Sequence, residues 1–185
     1  SYSHAEGLYT TSTGRGSHTE GSGSAATAEG AHAEGLLTTA LGQFSHVEGA
    51  ATTTSGDYAH SEGTYTQAIG TGAHSEGDHT IALGDYSHAE GDHTTAEGGA
   101  HSEGIYTTAS GVHSHAEGSS SIAFGEYSHA EGLHTIAYKN GQLAIGQYNL
   151  DLNGSDLFVI GDGLSNSSRH DLLNASIGLI RITGS

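Results

Sequence analysis

Small and variable side chains alternate along most of this chain in units of seven residues. From Ser1 to Gly146, position 3 of each heptad is Ser, Thr or Ala except at Gln142, and position 5 is Ala, Ser, Thr or Val. Position 7 is Gly except at Ala28 and Lys139. Alternation of small and large residues over positions 3 to 6 is β-strand periodicity, and glycine provides a turn with positive φ. The pattern predicts one short strand and one glycine turn per heptad.

A second repeat, of 14 residues, overlies the heptads. Every second heptad ends in His-x-Glu-Gly, beginning with His4 to Gly7, and the period slips once, by one residue, before His101. A period this strict is typical of solenoids, in which each coil stacks on its neighbour. Two heptads would form one coil with two outer faces, and ten coils stacked at about 4.8 Å would give a rod of roughly 50 Å.

Positions 3 and 5 are expected to point into the coil, because only small side chains fit inside so thin a tube. The opposite orientation would bury His and Glu, which is unfavourable by several kcal/mol unless they are paired. The predicted interior consists of Ala methyls and of Ser and Thr hydroxyls that bond to the backbone. Such a core buries little apolar surface, so we expect a single roll to need association along its length.

Composition excludes several classes of partner. The chain has 21 acidic residues against four basic ones and a formal net charge of -17, so nucleic acid is not expected as a partner.

Its few large apolar residues and high charge would indicate disorder, but a disordered chain does not place Gly at every seventh position. Cys is absent, and no apolar run approaches the ~18 residues of a membrane span. Because the first residue lies within a repeat, we expect the chain to be a fragment.

The odd-numbered heptads place His at position 4 and Glu at position 6 on one outer face. We call these two rows the ladder. We favour a ladder that faces partner chains, with cross-chain His–Glu hydrogen bonds. The alternative is an interface made by the opposite face, which carries Ile81, Leu83, Ile122 and Phe124, with the ladder in water. The ladder residues are His4, Glu6, His18, Glu20, His32, Glu34, His46, Glu48, His60, Glu62, His74, Glu76, His88, Glu90, His101, Glu103, His115, Glu117, His129 and Glu131.

The same residues are candidate metal ligands. His and Glu two apart on a strand share a face, and imidazole with carboxylate suits zinc, iron or nickel. Since no coil differs from the others as a dedicated site would, we favour a hydrogen-bonded structural ladder with no metal and no cofactor. We also expect acid to strengthen the ladder through protonation of His, whose ordinary pKa is about 6.5.

Aromatic residues recur at position 2, beside the turns. They are a candidate receptor surface that would stack on sugar rings or on a protein, with Asp57, Asp78, Asp85 and Asp92 nearby. The alternative is that they only pack over neighbouring turns. The candidate receptor residues are Tyr2, Tyr9, Phe44, Tyr58, Tyr65, Tyr86, Tyr106 and Tyr127.

The repeat resembles the YadA-like head repeats of trimeric autotransporter adhesins, through Ile81 to Gly84 and Leu143 to Gly146. The Ser-His-Ala-Glu-Gly version looks most like the same roll in phage tail fibres. The segments Gly146 to Asn149 and Leu157 to Gly163 look like the region that follows such rolls there. The resemblance implies an all-β, left-handed parallel β-roll that is homotrimeric. The repeats themselves predict a roll over 1–146, followed by a short β-rich neck or tip over 147–185 in which the apolar runs Leu157–Ile160 and Leu179–Ile182 suit short strands.

These features predict a structural, non-enzymatic fibre segment, extracellular on a virion tail or cell surface. Its partners would be two further copies of the chain and a host cell-surface glycan or protein receptor. A bacterial trimeric autotransporter adhesin head is the alternative. A polysaccharide-degrading spike is disfavoured, because glycosidic catalysis needs two carboxylates at a set spacing in a cleft. Ice binding is disfavoured because the face opposite the ladder is too mixed in sequence.

Overall fold

A computed structural model describes residues 2–150 and 156–183, and in these residues the fold is all-β. No described helix is long and apolar enough to cross a membrane. In chain order the strands are β1 His4–Ala5, β2 Thr11–Ser12, β3 His18–Ser22, β4 Ala25–Ala26, β5 His32–Leu36, β6 Thr39–Ala40, β7 His46–Val47, β8 Thr53–Thr54, β9 His60–Thr64, β10 Gln67–Ala68, β11 His74–Asp78, β12 Ile81–Ala82, β13 His88–Asp92, β14 Thr95–Ala96, β15 His101–Ile105, β16 Thr108–Ala109, β17 His115–Ser119, β18 Ile122–Ala123, β19 His129–Leu133, β20 Ile136–Ala137, β21 Leu143–Gln147, β22 Phe158–Asp162, β23 Asp171–Ser176 and β24 Leu179–Ile182.

The strands form two sheets that alternate along the chain. The odd-numbered strands β1 to β21, followed by β22, β23 and β24, make a 14-stranded sheet, which we call the ladder sheet. The even-numbered strands β2 to β20 make a 10-stranded sheet, which we call the second sheet. Successive coils pair in parallel and in phase, so that His60 lies beside His74 and Glu62 beside Glu76. The predicted parallel β-solenoid with coils of 14 residues is confirmed.

The interior is as narrow as the sequence predicts. Positions 3 and 5 are buried from Ser17 to Ala144, and apart from Val47 and Gln142 they are Ala, Ser or Thr. The buried hydroxyls bond to one another as well as to the backbone: Ser61 to Thr66 at 2.7 Å and Ser75 to Thr80 at 2.8 Å. Their polar groups thereby gain partners in a space too thin for large apolar side chains.

Glycine at position 7 has two different roles. In the ladder heptads it adopts positive φ, and a Cβ on Gly63 (φ +106°) would lie 2.1 Å from the carbonyl oxygen of Gly77 in the next coil. In the second-sheet heptads φ is not positive at Gly70, yet a Cβ there would lie 2.1 Å from the Gly84 carbonyl oxygen. Close approach of the coils, more than turn conformation, therefore favours Gly in the second set, although Ala28 and Lys139 occupy this position in two heptads.

Left-handed backbone is not confined to the glycines at position 7. Position 2 is left-handed in most heptads, including Tyr58 (φ 58°), His79 (φ 54°) and Tyr86 (φ 57°). This conformation turns the position-2 N–H back toward the preceding coil, where Tyr58 donates to the Gln43 carbonyl and Tyr86 to the Thr71 carbonyl. These bonds offset the roughly 1 kcal/mol that a non-glycine residue loses with positive φ.

The single-residue slip is absorbed in one turn without loss of register. His88 still pairs with His101 and Thr95 with Thr108. Two consecutive glycines, Gly98 and Gly99, both have positive φ at this turn, and the Ala100 N–H closes it by donating to the Glu97 carbonyl at 2.8 Å.

Side chains of the last coils close the C-terminal end of the second sheet. Asn149 accepts a hydrogen bond from the Ile136 N–H at 2.7 Å and donates to the Ile136 carbonyl at 2.9 Å, as a further strand would. Gln142, which breaks the heptad, is buried and accepts hydrogen bonds from the N–H groups of Tyr138 and Lys139.

The ladder sheet continues past the repeats. Strand β22 still stacks in parallel on β21, with Leu143 beside Phe158, and β23 and β24 then add antiparallel strands. The two short strands predicted near Leu157–Ile160 and Leu179–Ile182 are therefore present as β22 and β24.

Candidate functional site: the ladder and the aromatic edges

The ladder histidines form one continuous stack along the roll. From His4 to His129 successive ring centroids lie 4.7 to 5.1 Å apart, with the rings inclined by 3° to 16°. The spacing equals the separation of paired strands, because each His occupies the same position of its coil. Nine intervals give a stack roughly 43 Å long.

The glutamates form a second row beside the imidazoles, and Glu76 lies between two of them. Glu76 Oε2 is 4.0 Å from Nε2 of His74 in its own coil, and Glu76 Oε1 is 3.8 Å from Nε2 of His88 in the next coil. An open groove of about 500 Å³ follows this row over part of the roll, lined by Glu6, Gly21, Glu20, Glu34, Gly35, Glu48, Gly49, Glu62 and Gly63.

Most ladder imidazoles have no hydrogen-bond partner for Nε2 within the chain. His101 approaches Glu90 and His129 approaches Glu117 at 3.3 Å, within hydrogen-bond range. At seven other positions Nε2 is shielded from solvent and unpartnered: His18, His32, His46, His60, His74, His88 and His115. The hydrogen-bonded ladder expected from the sequence is thus formed inside the described chain at only a minority of coils.

Burial lowers the pKa of His46, His88 and His115, and repulsion from the imidazoles above and below lowers it further. The pKa of His32 is lowered in the same way, by burial first and then by His18. Protonation of these rings is therefore less favourable in the fold than in the open chain. For the single roll, burial of these rings and repulsion between them oppose the expectation that acid strengthens the ladder through His protonation, which stays a prediction.

Neighbouring carboxylates of the ladder shift one another's pKa. A hydrogen bond with Glu48 raises the pKa of Glu34, and one with Glu103 raises the pKa of Glu117, in each case with burial as the second cause. The pKa of Glu103 is lowered, because it accepts hydrogen bonds from Glu90 and Glu117. Repulsion between stacked carboxylates is reduced where one of two neighbours holds a proton.

The aromatic residues of position 2 lie along the two edges of the roll, at the left-handed turns. Tyr9, Tyr58 and Tyr86 are 83%, 66% and 76% exposed. Some rings also pack on neighbouring turns: Phe44 stacks on Tyr58 with centroids 5.5 Å apart, and it lies where a Cβ on Gly30 would be. The edges thus contain both exposed rings and rings packed on a neighbour.

The acidic residues near these edges are divided between two roles. Asp57 and Asp85 accept hydrogen bonds from the backbone N–H groups of Gln43 and Thr71, both at 2.8 Å, and so join one coil to the preceding one. Asp78 and Asp92 contact the rings of His79 and His93. Asp57 and Asp85 therefore have a structural role that the sequence did not indicate.

A cleft of about 330 Å³ lies beside the hairpin formed by β22 and β23 and was not predicted from the sequence. It is lined by Asp162, Gly163, Leu164, Ser168, Arg169 and His170. The Arg169 guanidinium donates to the carbonyls of His134 and Asn149 at 3.0 Å. Since these bonds join the hairpin to the last coils, Arg169 acts as a structural tie. Nothing in the heptad pattern signals it, because it lies beyond the repeats.

Comparison with known families identifies the repeat. A model described as the YadA head domain repeat matches residues 61–87, 75–100, 102–128 and 116–138. No curated protein matches the chain. Together with the β-solenoid, these matches confirm the resemblance inferred from the sequence: the matched residues form YadA-like head repeats, which are structural, adhesin-type elements.

Proposed function

We propose that this chain, a roll of YadA head repeats, is a segment of a homotrimeric, non-enzymatic fibre displayed outside the cell, on a virion tail or a cell surface. It is most like a phage tail fibre, and a bacterial trimeric autotransporter adhesin head is the alternative. The fibre holds a receptor-binding surface away from the particle that carries it. The division into a roll over 1–146 and a neck or tip over 147–185 is part of the proposal.

The observation that carries this proposal is the thin core. Its buried side chains are almost all Ala, Ser and Thr, and Val47 is the largest fully buried apolar one. Hydrophobic stabilisation scales with apolar area removed from water, at about 25 cal/mol per Å², so methyl groups alone contribute little per coil. Packing of several rolls side by side would bury additional surface along the whole length.

The ladder is the face we assign to the trimer interface. It repeats one environment over roughly 43 Å, as the stacked ring spacings of 4.7 to 5.1 Å require, and each row of imidazoles lies beside a row of carboxylates. Two such faces are complementary, because donors on one chain can meet acceptors on another. The rival interface is the outer face of the second sheet, where Leu83 and Phe124 are exposed.

The aromatic edges are the proposed receptor surface. Exposed tyrosines repeat at the turns and can stack on sugar rings, which present apolar C–H faces, while their hydroxyls remain free for polar contacts. A host cell-surface glycan is therefore a suitable ligand, and a protein receptor is the alternative.

Sedimentation equilibrium of paired charge variants tests the assembly and the interface together. The wild type is expected to sediment as a trimer with and without chelator. Replacing Glu62 and Glu90 by Lys should dissociate it, whereas Ile81→Lys with Ile122→Lys on the second sheet should leave it trimeric. The reverse pattern would move the interface to the second sheet, and a monomeric wild type would refute the assembly.

A further inference from the structure

We propose that the ladder binds divalent transition-metal ions such as zinc, each held by one imidazole nitrogen and two carboxylate oxygens. At least five groups of three ladder residues in the described chain have ligand atoms within 4.8 Å of one another. Four of them combine one His with two Glu: Glu48–His60–Glu62, Glu62–His74–Glu76, Glu76–His88–Glu90 and Glu90–His101–Glu103. The fifth, His32–Glu34–His46, offers two imidazoles and one carboxylate.

The unpartnered imidazole nitrogens support this assignment. Nε2 of His74 is shielded from solvent and has no hydrogen-bond partner, although Glu62 Oε1 is 3.7 Å away and Glu76 Oε2 is 4.0 Å away. A buried polar atom without a partner is unfavourable. A metal ion would satisfy it and both carboxylates at once.

The distances favour an ion over either alternative contact. A direct hydrogen bond needs about 2.7–3.2 Å, and a water bridging the two atoms needs roughly 4.4 Å between them. Zinc bound at about 2.0–2.2 Å holds tetrahedral ligand atoms roughly 3.4 Å apart. The observed separations of 3.6 to 3.8 Å at His74, His88 and His115 reach that value with small side-chain rotations.

Glu62, Glu76 and Glu90 each belong to two successive groups and could serve two ions. Glu76 directs Oε2 toward His74 and Oε1 toward His88, as a bridging carboxylate does. The groove over the Glu row gives ions a path, because glycines such as Gly21 and Gly35 leave the space beside it open.

Each site takes its ligands from one chain, on the face that we assign to the trimer interface, so bound zinc would replace cross-chain His–Glu hydrogen bonds at the coils it occupies. Zinc binding and oligomeric state are measured separately, so the two proposals can fail separately. Loss of zinc binding would leave a fibre, and a monomeric protein could still bind zinc. Imidazole suits zinc and not magnesium, so Mg²⁺ distinguishes a built site from general attraction of cations to an acidic groove.

Equilibrium dialysis of the intact chain with Zn²⁺ alone, and separately with Mg²⁺, tests the proposal. The wild type should bind several Zn²⁺ ions and retain Mg²⁺ at least tenfold more weakly. Glu76→Gln should remove two ions, because Glu76 belongs to two groups, and His88→Gln should remove one. Glu97→Gln, which removes the same charge from the opposite face, should remove none.

Thermal unfolding in chelator shows whether each variant is folded, and zinc should raise the Tm of the wild type more than that of Glu76→Gln. If Glu76→Gln fails to fold, His88→Gln provides the same comparison. Absence of bound zinc in the wild type, equal zinc binding by Glu76→Gln, His88→Gln and Glu97→Gln, or equal retention of Mg²⁺ would each overturn the proposal.

Discussion

At the residue scale, glycine has the strictest requirement in the ladder heptads. All eleven position-7 residues there are Gly, from Gly7 to Gly146, and all have positive φ. Position 2, although also left-handed, holds Tyr, His, Phe and Leu as well as Gly. The difference is space, because a Cβ at ladder position 7 would enter the next coil's backbone, whereas a position-2 side chain points outward.

Gly63→Ala should therefore destabilise the roll strongly. The added Cβ would lie 2.1 Å from the Gly77 carbonyl oxygen at a φ of +106°, so strain and displacement of two coils together should lower the free energy of unfolding by roughly 3–5 kcal/mol. Gly16→Ala is the matched control, with φ +70° and nothing within 4 Å of its Cβ, and should lose about 1 kcal/mol. Urea unfolding followed by circular dichroism measures both, and equal losses would contradict the argument from close approach.

At the scale of the strand, the stacked histidines of the ladder sheet make the stability of the fold depend on pH. The ring of His46 faces His32 and His60 from the coils on either side, with Glu48 and Glu62 beside it. Its lowered pKa means that the folded state binds fewer protons than the unfolded state, whose His pKa is about 6.5. The contribution of the ladder to the free energy of unfolding is therefore complete above about pH 6.5 and declines as the pH falls toward the folded-state pKa.

In chelator, the Tm should accordingly fall as the pH is lowered from about 7 to about 5.5. The raised pKa of Glu34 and Glu117 acts in the opposite sense, but mainly at lower pH, where these carboxylates take up protons. Differential scanning calorimetry over pH 5 to 8 gives the result, with His88→Gln showing a smaller fall. A Tm that rises on acidification would restore the acid-strengthened ladder expected from sequence.

The architecture of the strands was predictable because one short rule repeats. Small residues at positions 3 and 5 fix which side of each strand is buried, and His4, His18 and their equivalents then share a face. The left-handed turns were not predictable, since Tyr58 or His79 alone favours negative φ, and only hydrogen bonds to the preceding coil offset the strain. The unpartnered Nε2 atoms were also not predictable, because a His–Glu hydrogen bond forms or fails over a few tenths of an ångström in the separation between Nε2 and the carboxylate oxygen.

At the scale of the whole molecule, the roll is a row of interchangeable coils. Each coil pairs only with its two neighbours and in the same register, as His74 does with His60 and His88. The second sheet ends where Asn149 occupies the place of a further strand. Length and fold are therefore independent, since adding or removing a coil changes only the distance between the two ends.

Deletion of residues 57–70 removes one full coil and should leave the protein folded with a similar Tm. The rod should become shorter by one ring spacing, which is 4.9 Å between His46 and His60. Deletion of residues 57–63, a single heptad, should be far more harmful, although it removes fewer residues. It would stack His74 against strands of the second sheet and divide the ladder in two. Thermal unfolding and small-angle scattering of both variants check this, and a less stable 14-residue deletion would contradict it.

The turn at Gly98 and Gly99 indicates that changes in the length of the coding sequence need not disrupt the fold. There a coil of 13 residues keeps every strand in register, so a missing residue is absorbed where it falls and does not propagate. Slippage or unequal recombination between the coding repeats that adds or deletes whole coils would give products that still fold. A lineage carrying this chain can therefore vary the reach of its fibre in steps of one coil by copy-number change alone, with no new side-chain packing to be selected.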